Sequence, residues 1–297
     1  MTMEESGKAE KWIMGYVKGR GLLRPLNTGW LNQRIACLRT GGVNLYCYRK
    51  HGTAILIDAG ASEDRLAEKL DWLGLRPEKI SHVLLTHLDP GQIAGVAAGC
   101  RGLFSHCRLY LGQVENKYLT GEKNREILKG FCKLPVPALS GASTLLSDDQ
   151  TFWINDIKVD VLLVRGHSWG HLCYLIDDEY LFSGDAIWLG PEGGYSPINF
   201  LSEDNHLARC SLRVLKARLE QRDIPPVVLT AHTGWTADLE FAFRHTDRSC
   251  NGLKRCRLWE KASPYDPFDD REDRQEQVKN QPQLPNKEWE NGGIVQI

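Results

Sequence analysis

Ser81-His82-Val83-Leu84-Leu85-Thr86-His87-Leu88-Asp89-Pro90-Gly91-Gln92 contains a short apolar run, Val83 to Leu85, that reads as a buried strand. Asp-Pro-Gly then marks a turn. Between strand and turn stand His87 and Asp89, two potential metal ligands one residue apart. In an extended segment residues i and i+2 point to the same side, so both side chains can reach one ion. A single histidine at a strand end is more often a hydrogen-bonded core or surface residue, so the stretch alone does not establish a metal site.

The pattern recurs three times. Val161-Leu162-Leu163-Val164 runs into Arg165-Gly166-His167-Ser168-Trp169-Gly170-His171, Tyr180-Leu181-Phe182 into Ser183-Gly184-Asp185, and Val227-Val228-Leu229-Thr230 into Ala231-His232-Thr233-Gly234. Ligand-binding groups gather beyond strand ends, and glycine lets backbone and ion approach closely. Together these ends supply His87, Asp89, His167, Asp185 and His232, a mixed N/O donor set suited to a divalent transition metal. One Gly-His or Gly-Asp turn is ordinary. Four in a chain with nine histidines are not.

Taken in order, these segments and Leu56-Ile57-Asp58-Ala59-Gly60 resemble the metallo-β-lactamase fold superfamily, over about residues 30 to 245. The resemblance implies an α/β fold, the αβ/βα four-layer sandwich, with the metal loops gathered at one edge. The family's first metal motif is His-x-His-x-Asp-His; here it reads His87-Leu88-Asp89-Pro90-Gly91-Gln92. Asp89 replaces a histidine with another ligand type, whereas Gly91 and Gln92 replace two ligands of the second metal. Carried over position by position, the first site keeps His87, Asp89 and His167, with Asp185 as the bridging carboxylate. The second keeps only Asp185 and His232. The metal expected is zinc, with Mn²⁺ or Fe²⁺ as competitors because two carboxylates make the site harder. Asp185, His232 and Gln92 are the expected catalytic groups: Asp185 as fourth ligand or general base, His232 as donor to the oxyanion, Gln92 as orienter of water. His171, Asp58 and Trp169 are expected to support the ligands or face the substrate.

Three functional readings follow. The first is a metal-dependent hydrolase of a small ester, thioester or lactone, with a mononuclear or incomplete dinuclear site. There the ion would lower the pKa of water from about 15.7 toward ~7. The second is a catalytically inactive relative acting as a ligand- or partner-binding module, which Gly91 and Gln92 favour. The third is a nuclease, which the charge opposes: a net −1 offers no basic surface for nucleic acid.

Composition bounds the rest. Hydrophobic content of 42% with 25% charge is ordinary for a globular protein. Nine scattered cysteines without a Cys-x-x-Cys pair read as thiols in a reducing compartment. No signal-peptide-like or membrane-spanning run is apparent, so the expectation is a cytoplasmic protein with a small-molecule substrate and no membrane or nucleic-acid partner. The expected boundaries are a polar lead-in over 1–29, the metallo-β-lactamase-like domain over 30–247, and a polar, partly disordered tail over 248–297 through which the chain could oligomerise. Ser62 to Leu73 reads as an amphipathic helix with Ser62 as N-cap, Asn205 to Arg222 as a second helix, and Gln92 to Ala98 as the start of a short one. Leu189 to Phe200 reads as a glycine-rich loop. Val114 to Ala142 has little pattern and reads either as a wall of the substrate pocket or as a surface connection.

Overall fold

The computed structural model describes residues 22–61, 65–99, 102–250 and Leu284. The first half of the chain builds one seven-stranded sheet. Its strands are β1 (Gly29–Trp30), β2 (Ile35–Thr40), β3 (Val43–Lys50), β4 (Thr53–Ile57), β5 (Ile80–Leu84), β6 (Arg108–Gly112) and β9 (Ser143–Leu146), in that spatial order. A two-stranded ribbon, β7 (Arg125–Ile127) and β8 (Cys132–Leu134), is inserted between β6 and β9. The second sheet orders β10 (Thr151–Ile154), β11 (Ile157–Leu163), β12 (Leu172–Ile176), β13 (Tyr180–Phe182), β16 (Val227–Leu229) and β17 (Trp235–Thr236). A third, three-stranded sheet joins β14 (Trp188–Gly190), β15 (Gly193–Ser196) and β18 (His245–Ser249). The helices are α1 (Leu66–Trp72), α2 (Pro90–Ile93), α3 (Asn116–Leu119), α4 (Asn205–Glu220) and α5 (Leu239–Phe243). None of the described helices is long and apolar enough to cross a membrane.

Strands buried on both faces read as unbroken apolar runs, and period-two alternation sorts their side chains between two cores. Tyr46 and Tyr48 of β3 and Tyr174 and Ile176 of β12 meet between the two large sheets. Leu45 and Cys47 of β3 face the other way, onto Leu66 and Leu70 of α1. Cys173 and Leu175 of β12 pack with Leu212 and Leu215 of α4. Helix, sheet, sheet, helix: this is the four-layer αβ/βα sandwich the resemblance implies.

Several local expectations are corrected. Helix α1 starts at Leu66 after Arg65, whose φ of 58° is left-handed, while Ser62 lies outside the described residues. The short helix predicted from Gln92 is α2, which begins two residues earlier at Pro90 and gives way to a 3₁₀ turn over Ala94–Val96. The supposed glycine loop at 189–200 contains the hairpin β14–β15, held by a parallel pairing with β18. The segment 114–142 contains α3, β7 and β8 and is anything but unpatterned. The proposed disorder and oligomerisation of the tail fall outside the described residues, apart from Leu284, which is buried with its amide donating to the Leu31 carbonyl.

The two sheets are also tied by hydrogen bonds near the edge that carries the strand ends. The Tyr174 hydroxyl donates to the Leu85 carbonyl at 2.7 Å, and the Tyr46 hydroxyl to Thr230 O at 2.8 Å. Tyr174→Phe leaves the buried Leu85 carbonyl without this donor and is expected to cost about 1–2 kcal/mol of stability, read by urea unfolding. An unchanged midpoint would remove this tie from the account.

Candidate metal centre

Strands β4 and β5 run parallel, as do β13 and β16, so in each pair the carboxyl ends lie side by side. Loops leaving these ends converge, which is where sheets of this kind hold ligands. Asp58 follows β4, His87 and Asp89 follow β5, His167 follows β11, Asp185 follows β13, and His232 follows β16. Two glycines permit the close packing of the His167 loop. A Cβ on Gly166, whose φ is +126°, would lie 2.2 Å from Ala208 N, and one on Gly170 would lie 2.1 Å from Glu115 N.

Hydrogen bonds set the orientation of each imidazole. Asp58 is buried and accepts from both the amide (2.8 Å) and the hydroxyl (2.9 Å) of Thr86. The hydroxyl proton being used there, His87 Nδ1 donates to Thr86 Oγ1 at 2.9 Å. His87 Nε2 is left with a bare lone pair. It is buried, has no hydrogen-bond partner, and lies 3.8 Å from Asp89 Oδ2 and 4.0 Å from Asp185 Oδ2. Burial pushes the His87 imidazole down to about 4, despite the nearby Asp185 and Asp89, so it is neutral at pH 7.

His167 Nε2 lies 3.2 Å from Asp89 Oδ2 and 3.4 Å from Asp185 Oδ2. On Asp185, burial is outweighed by the charge and hydrogen bond of His232, and the carboxyl sits well below the usual range. Gln92 Nε2 donates to Asp185 Oδ1 at 3.1 Å. His232 donates from Nδ1 to the Gly42 carbonyl at 2.7 Å, which turns Nε2 to Asp185 at 3.1 Å. Burial lowers the His232 imidazole, but Asp185 more than reverses this and its pKa is raised. His171 Nε2 accepts the Asp185 amide at 3.1 Å, so its lone pair is spent inside the protein and it supports the Asp185 loop.

The donor set fits a divalent cation. His87, His167 and Asp185 each turn one ligand atom inward, all within 4.8 Å of one another. The four histidine–carboxylate separations of 3.2–4.0 Å are below about 4.2 Å, twice a typical zinc–ligand bond. Two nitrogens and a carboxylate oxygen suit zinc, and the orphaned His87 Nε2 is the atom such an ion would satisfy.

Two residues escaped the sequence reading. Arg125, at the start of β7, is buried and grips Asp89 with both arms of its fork: Nε to Oδ1 at 2.7 Å and Nη2 to Oδ2 at 2.8 Å. Burial alone would raise the Asp89 carboxyl, but Arg125 holds it well below the usual range. Glu115, also fully buried, accepts from the Leu88 amide (3.0 Å), the Ser168 hydroxyl (2.7 Å) and the Gly170 amide (3.1 Å). It clips the His87 loop to the His167 loop. No motif marks either residue. The one signal for Arg125 is Asp89 itself, since a carboxylate in a histidine's place calls for a cation.

A cleft of about 290 Å³ opens onto Asp89, Gln92, Asp185 and His232, with Leu23, Val43, Leu134, Trp188 and Leu201 among its apolar walls. Leu134 comes from β8, so the inserted ribbon does wall the pocket. Trp188 stacks on His232 with ring centroids 4.8 Å apart. Trp169 is placed elsewhere: its ring lies 4.1 Å from Lys123 Nζ and lines a neighbouring cleft with Lys123 and Lys129.

The Metallo-beta-lactamase superfamily model matches residues 38–102. A hydroxyacylglutathione hydrolase of Glaesserella parasuis serovar 5 is 41% identical over 49 residues, 16% of this chain and 21% of that protein. Thioesterase pkgB of Emericella nidulans is 29% identical over 176 residues, 59% of this chain and 42% of the relative. The chain thus spans less than half the length of these curated relatives. Among solved structures, a B3 metallo-β-lactamase with an active-site glutamic acid superposes with a TM-score of 0.56 at 12% identity, covering 76% of this chain and 88% of that one. The sandwich, the strand-end ligands and these likenesses together give the chain the metallo-β-lactamase fold, with the family model matching residues 38–102.

Proposed function

We propose that this protein is a metal-dependent thioester hydrolase that holds a single divalent ion, zinc by its donor set, on His87, His167 and Asp185. The observation that carries the reading is His87 Nε2, a neutral, buried lone pair without a partner, aimed between two carboxylates. A buried acceptor left unmatched costs about 1–3 kcal/mol, and a cation removes that cost. Bound there, a divalent ion makes water acidic near neutral pH and polarises the substrate carbonyl. The chain's own groups do the rest. His232, tied at Nδ1, faces the cleft with an Nε2 proton to deliver to the departing thiolate. Gln92 orients water through its amide, and the Leu134 and Trp188 walls hold an apolar acyl group. Thioesters rank above oxygen esters and lactones because the matched relatives include a hydroxyacylglutathione hydrolase and a thioesterase.

Elemental analysis of protein purified without chelator is expected to give about one equivalent of zinc, manganese or iron. An acyl-glutathione and acyl-pantetheine panel is expected to show turnover that chelation abolishes and Zn²⁺ restores. A second reading, a ligand-binding module, is favoured by the Asp89–Arg125 pair, which satisfies a carboxylate inside the protein. Protein that takes up no metal after incubation with Zn²⁺, Mn²⁺ or Fe²⁺ would establish that reading over the hydrolase.

A further inference from the structure

Arg125 has a role that the donor set alone does not explain. The guanidinium is 1% exposed, and four of its five N–H donors are engaged. Nε and one Nη2 hydrogen go to Asp89, the other Nη2 hydrogen goes to Leu201 O at 2.9 Å, and Nη1 donates to Glu126 O at 3.2 Å. Arg125 is not among the residues lining the cleft onto Asp185, and its donors are engaged inside the protein. Nη2 also approaches His167 Nε2 at 3.3 Å, so one of its two hydrogens is shared between that nitrogen and an oxygen partner.

The fork fixes Asp89 in one rotation. Oδ1 meets Nε, while Oδ2, already holding one hydrogen bond, faces His167 Nε2 at 3.2 Å and His87 Nε2 at 3.8 Å. A carboxylate oxygen can accept from a guanidinium and still offer a lone pair to an ion, since the group has about four acceptor sites. Metal-ligating carboxylates are commonly held by such outer partners. Asp89 also adds a negative charge close to Asp185, and a buried guanidinium offsets it without any proton to lose.

Resting on the single-ion reading for the presence of the metal, we propose that Arg125 is a positioning residue of this centre, clamping Asp89 so that Oδ2 completes the ligand set begun by His87, His167 and Asp185. The test reads metal binding in the absence of substrate. The probes are the apparent dissociation constant for Zn²⁺, from chelator competition, and the visible spectrum of the Co²⁺-loaded protein.

Arg125→Met is expected to weaken Zn²⁺ binding by about 10–100-fold, the usual effect of losing an outer partner. It should also shift the Co²⁺ spectrum. Asp89→Asn should do the same, and the Asp89→Asn/Arg125→Met double variant should bind no more weakly than Asp89→Asn alone, because both act through one oxygen. Arg125→Lys keeps the charge but not the fork, and should fall between the natural protein and Arg125→Met. Should Arg125→Met fail to fold, the same comparison is read from Arg125→Lys, which still loses the two-armed grip. Unchanged or tighter Zn²⁺ binding in a folded Arg125 variant, or losses that multiply in the double variant, would overturn the proposal. Zn²⁺ binding with the expected pattern but no thioester turnover would sink the hydrolase reading alone. A natural protein that binds no Zn²⁺ sinks both.

Discussion

His87→Ala is expected to strip the bound metal and to lower thioester turnover by about 10³-fold or more while leaving the fold intact. Lewis-acid stabilisation of a carbonyl is worth several kcal/mol, and each 1.36 kcal/mol is a factor of ten. The variant removes a buried imidazole nitrogen that has no hydrogen-bond partner and lies near Asp89 and Asp185, together with the Nδ1 hydrogen bond to Thr86. Thr86 remains anchored on Asp58 through both its amide and its hydroxyl, so the loop keeps its path. Metal content, far-UV circular dichroism and the thioester assay should be read on one preparation. His82→Ala, five residues earlier on β5 with its side chain half-exposed, is the control and should change neither metal nor rate. A His87→Ala protein that retains both metal and turnover would refute the site.

The fold was legible because burial on two faces writes itself as unbroken apolar runs, and the turn residues between them are glycines and Asx pairs. Asn155-Asp156 between β10 and β11 and Asp177-Asp178-Glu179 between β12 and β13 mark hairpins whose registers the structure gives. The strand-end residues were legible for a related reason. A histidine or aspartate directly after a buried strand has few places to go, and parallel neighbours deliver such ends to one edge. What stayed hidden came from the segment between β6 and β9. Arg125 and Glu115 act through single long side chains reaching across tens of residues of sequence, and no spacing rule records that. Asn44 is another such case: it is the second residue of what reads as a plain apolar strand, yet its amide donates to Thr230 O and Thr233 O and fixes the His232 loop. Trp169 misled in the other direction, since adjacency to His167 in sequence put it beside the ligands while its ring faces Lys123.

Glu115→Ala is expected to be the most destabilising of the single changes near the centre, by about 4 kcal/mol, since three buried donors lose their acceptor at about 1–3 kcal/mol each. Those donors are the Leu88 amide, the Ser168 hydroxyl and the Gly170 amide, so the variant also releases the His87 loop from the His167 loop. Zn²⁺ affinity should fall with stability, which separates this clip from an ordinary core residue. The carboxyl carries a pH signature as well. Burial raises Glu115 to about 7 from the ordinary 4.5, outweighing the hydrogen bond from Ser168. The folded chain therefore holds this proton more tightly than the unfolded one. The stability it contributes is full below pH 4.5 and is lost as pH rises through about 7, by about 3 kcal/mol at 1.36 kcal/mol per unit. Asp58, raised by burial to about 7, adds a decline of the same sign over the same window. Glu115→Gln should thus remove roughly half of the fall in unfolding free energy between pH 5 and 7.5, measured by urea denaturation of metal-free protein. A Glu115→Gln curve parallel to that of the natural protein would mean the carboxylate stays ionised throughout, held by its three donors against burial.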